Sequence, residues 1–142
     1  LPTLLPCLAA LVALAAPIEA RCHATALDLS PSSQALAATI CARLDSPTIE
    51  EVRITTQTIA INLTPDHARS LRLIIATANG RRGTVDQQRQ ARQLLADTAT
   101  VYRDVRALGG VGRSLFGDVR LMTDRTTWLM TINADGTYTT SR

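Results

Sequence analysis

Residues 84–108, TVDQQRQARQLLADTATVYRDVRAL, set the frame for the rest of the chain. Ala91, Leu94, Leu95, Thr98, Val101, Tyr102, Val105 and Leu108 recur at spacings of three and four. That spacing stacks them on one face of a helix over 85–108. Thr84 and Gln87 have the spacing of a capping box, in which each side chain satisfies a backbone N–H at the helix start. Gly109-Gly110 ends the run, because glycine enters the left-handed region at little cost. A helix this long with one apolar stripe needs a surface to lie on, and the other elements must supply it.

Upstream, two strand-to-helix units provide part of that surface. Ala26-Leu27-Asp28-Leu29 is followed by Ser30-Pro31, and 34 residues later Ala60-Ile61-Asn62-Leu63 is followed by Thr64-Pro65. Each copy predicts a short strand, a hydroxyl N-cap, proline at the first helical position, then a helix. The helices are expected over 31–44 and 65–79, the second with a stripe of Ala68, Leu71, Ile74, Ile75 and Ala78 ended by Asn79-Gly80. Two copies fall short of the three or more units a solenoid stacks. The likeness reads as one capping problem solved twice. Between the units the signals conflict over 47–57. Ser46-Pro47 with Glu50 and Glu51 starts a helix, whereas the Val, Ile and Thr of 52–63 favour strand. Strand is expected for 58–63, with a turn or bulge near Thr55–Gln57 to reconcile opposite alternation on its two sides. Arg81-Arg82-Gly83 is short enough to fold the second and third helices into an antiparallel pair.

Downstream, the glycine-rich run 109–117 follows a helix and opens a strand, the reverse of a dinucleotide fingerprint, and reads as a connector. Val119–Thr123, Thr127–Asn133 and Thr137–Ser141 form a meander over 118–141, with Asp135-Gly136 as a hairpin turn. Trp128, Met130 and Ile132 alternate onto the face expected to pack on the long helix, with Leu129 and Thr131 opposite. The expected architecture is α+β: a mainly antiparallel sheet on about three helices (31–44, 65–79, 85–108), in a single domain over 25–142.

The first 24 residues read as a secretory signal segment. Leu4–Ala16 is an apolar run too short to span a bilayer, and small residues place cleavage after Ala20 or Ala24. Periplasmic or secreted localisation in a bacterium follows as an expectation, with the membrane touched only by that segment. Cleavage after Ala20 leaves Cys22 and Cys41 in the mature chain, and folding 22–29 back along the next helix brings them within reach of a disulfide. The alternative is a buried free thiol at Cys41.

Composition excludes more chemistry than it suggests. All 15 basic residues are arginine, so no phosphate-loop, Schiff-base or acylating lysine exists in this chain. No cofactor or metal is expected, since one certain mature histidine and scattered cysteines do not build a three- or four-ligand site. His67 beside Asp66 is the only acid–base candidate, with Ser70 or Ser114 as nucleophile. The competing reading makes Asp66 a helix-start carboxylate and His67 an exposed first-turn residue. Arg81, Arg82, Arg89 and Arg92, with Arg69 and Arg72, are the one basic concentration and could hold an anionic partner. Nucleic acid is not expected, because only 3% of residues are aromatic and stacking platforms are missing. These readings lead to a small exported non-enzymatic protein that binds a protein or an anionic envelope component, as an accessory subunit, inhibitor or immunity-type protein does. The rivals are a small hydrolase using His67 and a carrier with an apolar pocket between the sheet and the long helix.

Overall fold

The computed structural model describes residues 22–27, 31–44, 47–55, 58–105, 108 and 118–141. Six strands form one sheet in the order β1 to β6: His23–Ala26, Ile49–Ile54, Thr58–Leu63, Asp118–Met122, Trp128–Asn133 and Tyr138–Thr140. Three helices accompany it: α1 (Pro31–Leu44), α2 (Pro65–Ala78) and α3 (Val85–Val105). The fold is α+β, and the sheet is mixed, with three of its five pairings antiparallel as expected and two parallel. β1 pairs with β2 and β3 with β4 in parallel, while β2·β3, β4·β5 and β5·β6 are antiparallel. The cause is α1 between β1 and β2, and the α2–α3 pair between β3 and β4, which return the chain to its starting end so that the next strand runs the same way. The C-terminal three-strand meander is present as β4–β5–β6.

The 34-residue echo is structural. α1 and α2 are both 14-residue helices that begin at proline, Pro31 and Pro65. Thr64 precedes the second with extended backbone, yet its hydroxyl makes no capping hydrogen bond. Its backbone N–H instead donates to the Thr48 carbonyl of the neighbouring loop at 2.8 Å. α2 ends where Asn79-Gly80 predicts. Gly80, at φ +77°, donates to the Thr77 carbonyl and Arg81 to that of Ala76, the paired bonds of a Schellman stop. The long helix starts on the expected box: the Thr84 N–H donates to Gln87 Oε1 (2.8 Å) and the Gln87 N–H to Thr84 Oγ1 (3.2 Å). Its regular turns end at Val105 rather than Leu108, and the Gly109-Gly110 stop and the connector to 117 lie outside the described residues.

Within the ambiguous segment 47–57, Ile49–Ile54 is strand, preceded by a turn at Pro47 and Thr48. Val52 faces Ile61 and Ile54 faces Ile59 across the β2–β3 hairpin, so β-branched cross-strand pairs overrule the helix-start signal. The Thr55 N–H closes the turn on the Thr58 carbonyl at 2.9 Å. β1 begins at His23 and ends at Ala26, earlier than the 26–29 expected, and residues 28–30 lie outside the description.

One core gathers most of the buried apolar side chains. Leu36, Ala37 and Ile40 of α1, Leu71 and Ile75 of α2, and Leu95, Ala99 and Tyr102 of α3 share a cluster with Val52, Ile54, Ile59, Ile61, Val119, Leu121, Met130 and Ile132 of the sheet. The alternate sheet residues Arg53, Ala60, Asn62, Arg120 and Thr131 lie on the other face, outside that cluster. All three helices therefore cover one face. This has a topological consequence. β1→β2 and β3→β4 step the same way across the sheet from strands of opposite direction. With helices on a single side, the two crossovers have opposite hand, against the strong right-handed preference of such connections. Two crossovers of the same hand would have put a helix layer on each face. The exception is what leaves one face of the sheet without helices among the described residues.

Two expected faces are revised. The register shifts between Leu121 and Met122, pairing Met122 with Trp128 and Leu121 with Met130. That bulge turns Trp128 to the helix-free face, 37% exposed, while Leu129 is buried. On α3 the stripe is narrower than its spacing suggests. Leu94 and Val101 stand exposed beside the buried line of Ala91, Leu95, Ala99, Tyr102 and Val105, because α2 covers only one flank.

Candidate functional site

Cys22 and Cys41 are joined by a disulfide between the start of β1 and the middle of α1. Cys41 occupies the position that corresponds, 34 residues on, to buried Ile75 of α2. A covalent tie thus stands where the second unit uses an apolar anchor. It fastens β1, a four-residue edge strand with little area of its own, to the helix above it.

The residues proposed for chemistry do not converge. Asp66 forms an ion pair with Arg69 at 3.3 Å, one turn on along the same helix, and both are highly exposed. His67 is half-buried, and burial holds its pKa below the ordinary 6.5 by penalising the charged imidazolium. Among the described residues no hydroxyl or carboxylate hydrogen-bonds to it, and Ser114 lies outside the description. A general base needs a partner within reach of its proton, and His67 has none placed.

The arginines are likewise dispersed. Arg89 pairs with Asp86 at 3.4 Å, and Arg92 donates to the Ala78 carbonyl at 3.4 Å, stitching α3 to the C-terminal end of α2. Arg82 borders a groove of about 320 Å³ between α2 and α3, floored by Leu73, Ile74, Ala91 and Leu94. Arg81 faces a different notch, of about 150 Å³, with Arg72 and Ser141. Each arginine of this basic stretch therefore has its own local setting. Among the described residues no three His, Cys, Asp or Glu side chains gather as a metal site would require.

The helix-free face holds the better-built constellation, and no sequence motif marks it. Register lays two rows across the strands. His23, Glu51, Asn62, Met122 and Trp128 form one, and Thr25, Arg53, Ala60, Arg120 and Thr131 the other. Glu51 is the centre. Its side chain is only 11% exposed, Asn62 Nδ2 donates to Oε1 at 3.1 Å, and Arg125 Nη2 donates to Oε2 at 2.9 Å. Arg125 reaches Glu51 from the β4–β5 loop, which Asp124 shapes. Asp124 Oδ1 accepts from the N–H and hydroxyl of Thr126 (both 2.8 Å) and the N–H of Thr127 (2.9 Å). Those bonds hold the Asp124 carboxyl below its ordinary pKa. Arg53 Nη2 donates to the Arg125 carbonyl at 3.3 Å, pinning the loop from below. At the other end of the face, Asp118 accepts from Thr58 Oγ1 (2.9 Å) and from Arg120 Nε (3.2 Å).

Three buried side-chain atoms lack a hydrogen-bond partner among the described residues: Thr25 Oγ1, Arg53 Nε and Asn62 Oδ1. All three belong to this face. Thr25 is the register partner of Arg53, and Asn62 is the partner of Glu51, two residues before Arg53. Unpaired buried polar atoms cost about 1–3 kcal/mol each, so folded proteins keep few of them without a use. The only signal available in sequence was the polar alternation of Glu51, Arg53, Asn62 and Arg120 against apolar neighbours.

Compared with known proteins, the chain matches no family model, no curated relative and no solved structure.

Proposed function

We propose that this is a small exported, non-enzymatic binding protein whose contact surface is the helix-free face of the sheet. The observation that carries this reading is the concentration of all three unpaired buried polar atoms on the one face no helix covers. Sheet faces that serve only as scaffold are packed or evenly solvated, whereas this one holds a fixed Glu51–Asn62–Arg125 network beside exposed Trp128. The partner is a protein or an envelope component.

Export is supported by the apolar segment at 4–16 and by the disulfide, a bond that persists in oxidising compartments. No described helix is long and apolar enough to cross a membrane. Of the two cleavage positions, Ala20 fits better. A cut after Ala24 would divide β1 and release Cys22 from its partner.

The hydrolase reading is the weaker one because, among the described residues, no nucleophile or orienting carboxylate hydrogen-bonds to His67. The carrier reading places an apolar pocket between the sheet and the long helix, and a cavity shared by Tyr102 and Trp128 would support it. Tyr102 instead lies in the helix–sheet core and Trp128 on the opposite face.

The test is affinity capture from an envelope extract with the mature chain and two variants. Arg120→Glu reverses a charge on the helix-free face, and Leu94→Gln alters the outer face of α3. A partner retained by wild type and Leu94→Gln but lost with Arg120→Glu is expected. Retention by Arg120→Glu with loss in Leu94→Gln moves the contact to the helices and rejects the proposal.

A further inference from the structure

The chemistry of the bound group can be read from the unpaired atoms, given that the helix-free face is the contact surface. Arg53 Nε–H is a donor, and Thr25 Oγ1 on the adjacent strand is a second one. Asn62 Oδ1 is an acceptor only, and Asn62 as a whole is more than nine-tenths buried. Charge narrows the choice further. The Glu51 carboxylate is matched by Arg125 and that of Asp118 by Arg120, whereas Arg53 has no carboxylate partner among the described residues. Arg53 is thus the guanidinium of this face that no described carboxylate answers. A simple anion would answer Arg53 and Thr25 but leave Asn62 Oδ1 unpaired. A neutral amide would answer Asn62 but leave the charge.

We infer that Arg53 and Thr25 receive a carboxylate whose neighbouring atom carries an N–H, which donates to Asn62 Oδ1. A peptide C-terminus and a free amino acid share that chemistry. Met122 is the register partner of Asn62, and Trp128 is the partner of Met122. They form an apolar ledge beside the site that suits a large aliphatic side chain on the same residue. Ala60 lies between the polar groups, across from Arg53 and two residues before Asn62, so its single methyl leaves the room the ligand needs. The Arg125 loop lies above, held to this face by the 3.3 Å bond from Arg53 and the 2.9 Å bond to Glu51. It lifts to admit the ligand.

Trp128 is the only tryptophan, so its emission reports on the site directly. The probes are N-acetyl-leucine, N-acetyl-leucinamide without the carboxylate, 4-methylpentanoate without the N–H, and free leucine. N-acetyl-leucine is expected to change Trp128 emission saturably. The leucinamide and 4-methylpentanoate are each expected to bind about tenfold or more weaker, since each strands one buried polar atom. Tighter binding of N-acetyl-leucine than leucine assigns a peptide C-terminus, and the reverse order assigns a free amino acid. Ala60→Leu fills the space without removing a polar group, and Arg53→Met removes the charge; both are expected to abolish the response while retaining a cooperative melt. No saturable change up to about 10 mM overturns the inference. So does equal binding of N-acetyl-leucine, the leucinamide and 4-methylpentanoate, or a wild-type response in folded Ala60→Leu. If the capture experiment still depends on Arg120 while this titration is silent, the surface stands and its assigned chemistry falls.

Discussion

The two faces of the sheet are built from alternate residues of the same strands, yet they follow different rules. On the helix side Val52, Ile54, Ile59, Ile61, Val119 and Leu121 are almost wholly buried in the apolar core. On the other side, one residue away along each strand, Glu51, Arg53, Asn62 and Arg120 hold charges and amides, two of them with atoms left unpaired. The difference teaches where stability and binding reside. Burial on the helix side stabilises the fold, which lets the opposite side retain groups that cost stability and serve recognition.

Breaking that comparison starts on the helix side, where the effect is largest. Ile61 is fully buried at the centre of the sheet, so Ile61→Ala is expected to destabilise by about 2–5 kcal/mol, read from urea unfolding. Its neighbour Asn62 faces the other way. Asn62→Leu removes an unpaired oxygen together with one bond to Glu51, and stability should change by about 1 kcal/mol or less while capture of the partner is lost. A cost for Asn62→Leu as large as that of Ile61→Ala would show that the helix-free face is structural after all.

The second effect in size concerns the disulfide, which belongs to the helix side. Cys22 and Cys41 are 19 residues apart, and opening a loop of that length by Cys22→Ser with Cys41→Ser is expected to cost about 3 kcal/mol. Reduction of the wild type should reproduce that loss in the same unfolding assay. Next comes the cap of the long helix. Thr84→Ala removes the hydroxyl that receives the Gln87 N–H and should cost about 1 kcal/mol, again by urea midpoint.

The smallest effects are those of pH, and they separate the two faces once more. Asp124 shapes the loop that covers the helix-free face, and its folded pKa lies below the ordinary 3.8. Its contribution is therefore complete above that value and is lost as pH falls through the folded pKa. Asp124→Asn should flatten the acid limb of the stability curve and loosen Arg125. His67, on the helix side, has its folded pKa below 6.5. The unfolded chain takes up that proton first, so stability falls as pH drops below the ordinary imidazole value. His67→Gln should remove that step and leave the rest of the profile intact, as measured by urea midpoint between pH 7 and 5.

Much of the fold was legible because local rules were strong. The Thr84–Gln87 box, the Asn79-Gly80 stop and the Asp135-Gly136 hairpin depend on nearest neighbours, and each lies where the chain itself puts it. The face of Trp128 was misjudged because alternation fails across a bulge, and a bulge is set by the partner strand. The buried width of α3 was overestimated at Leu94 and Val101 for a similar reason. Spacing marks which residues share a stripe, but the position of α2 decides how much of it is covered. Arg81, Arg82, Arg89 and Arg92 are close in sequence, but the immediate neighbours of each are set by how the helix hairpin packs.

The sequence by itself determined the elements: helices begun by proline and threonine, strands built on Val, Ile and Thr, turns placed by glycine, and a cysteine pair within reach. Tertiary structure alone decided the strand order, the parallel pairings and the opposite hands of the two crossovers. Those are long-range choices, made by how whole helices pack rather than by any residue's own preference. The site follows from them. Thr25, Arg53 and Asn62 are far apart or out of phase along the chain, and only strand pairing on a face left without helices sets them side by side.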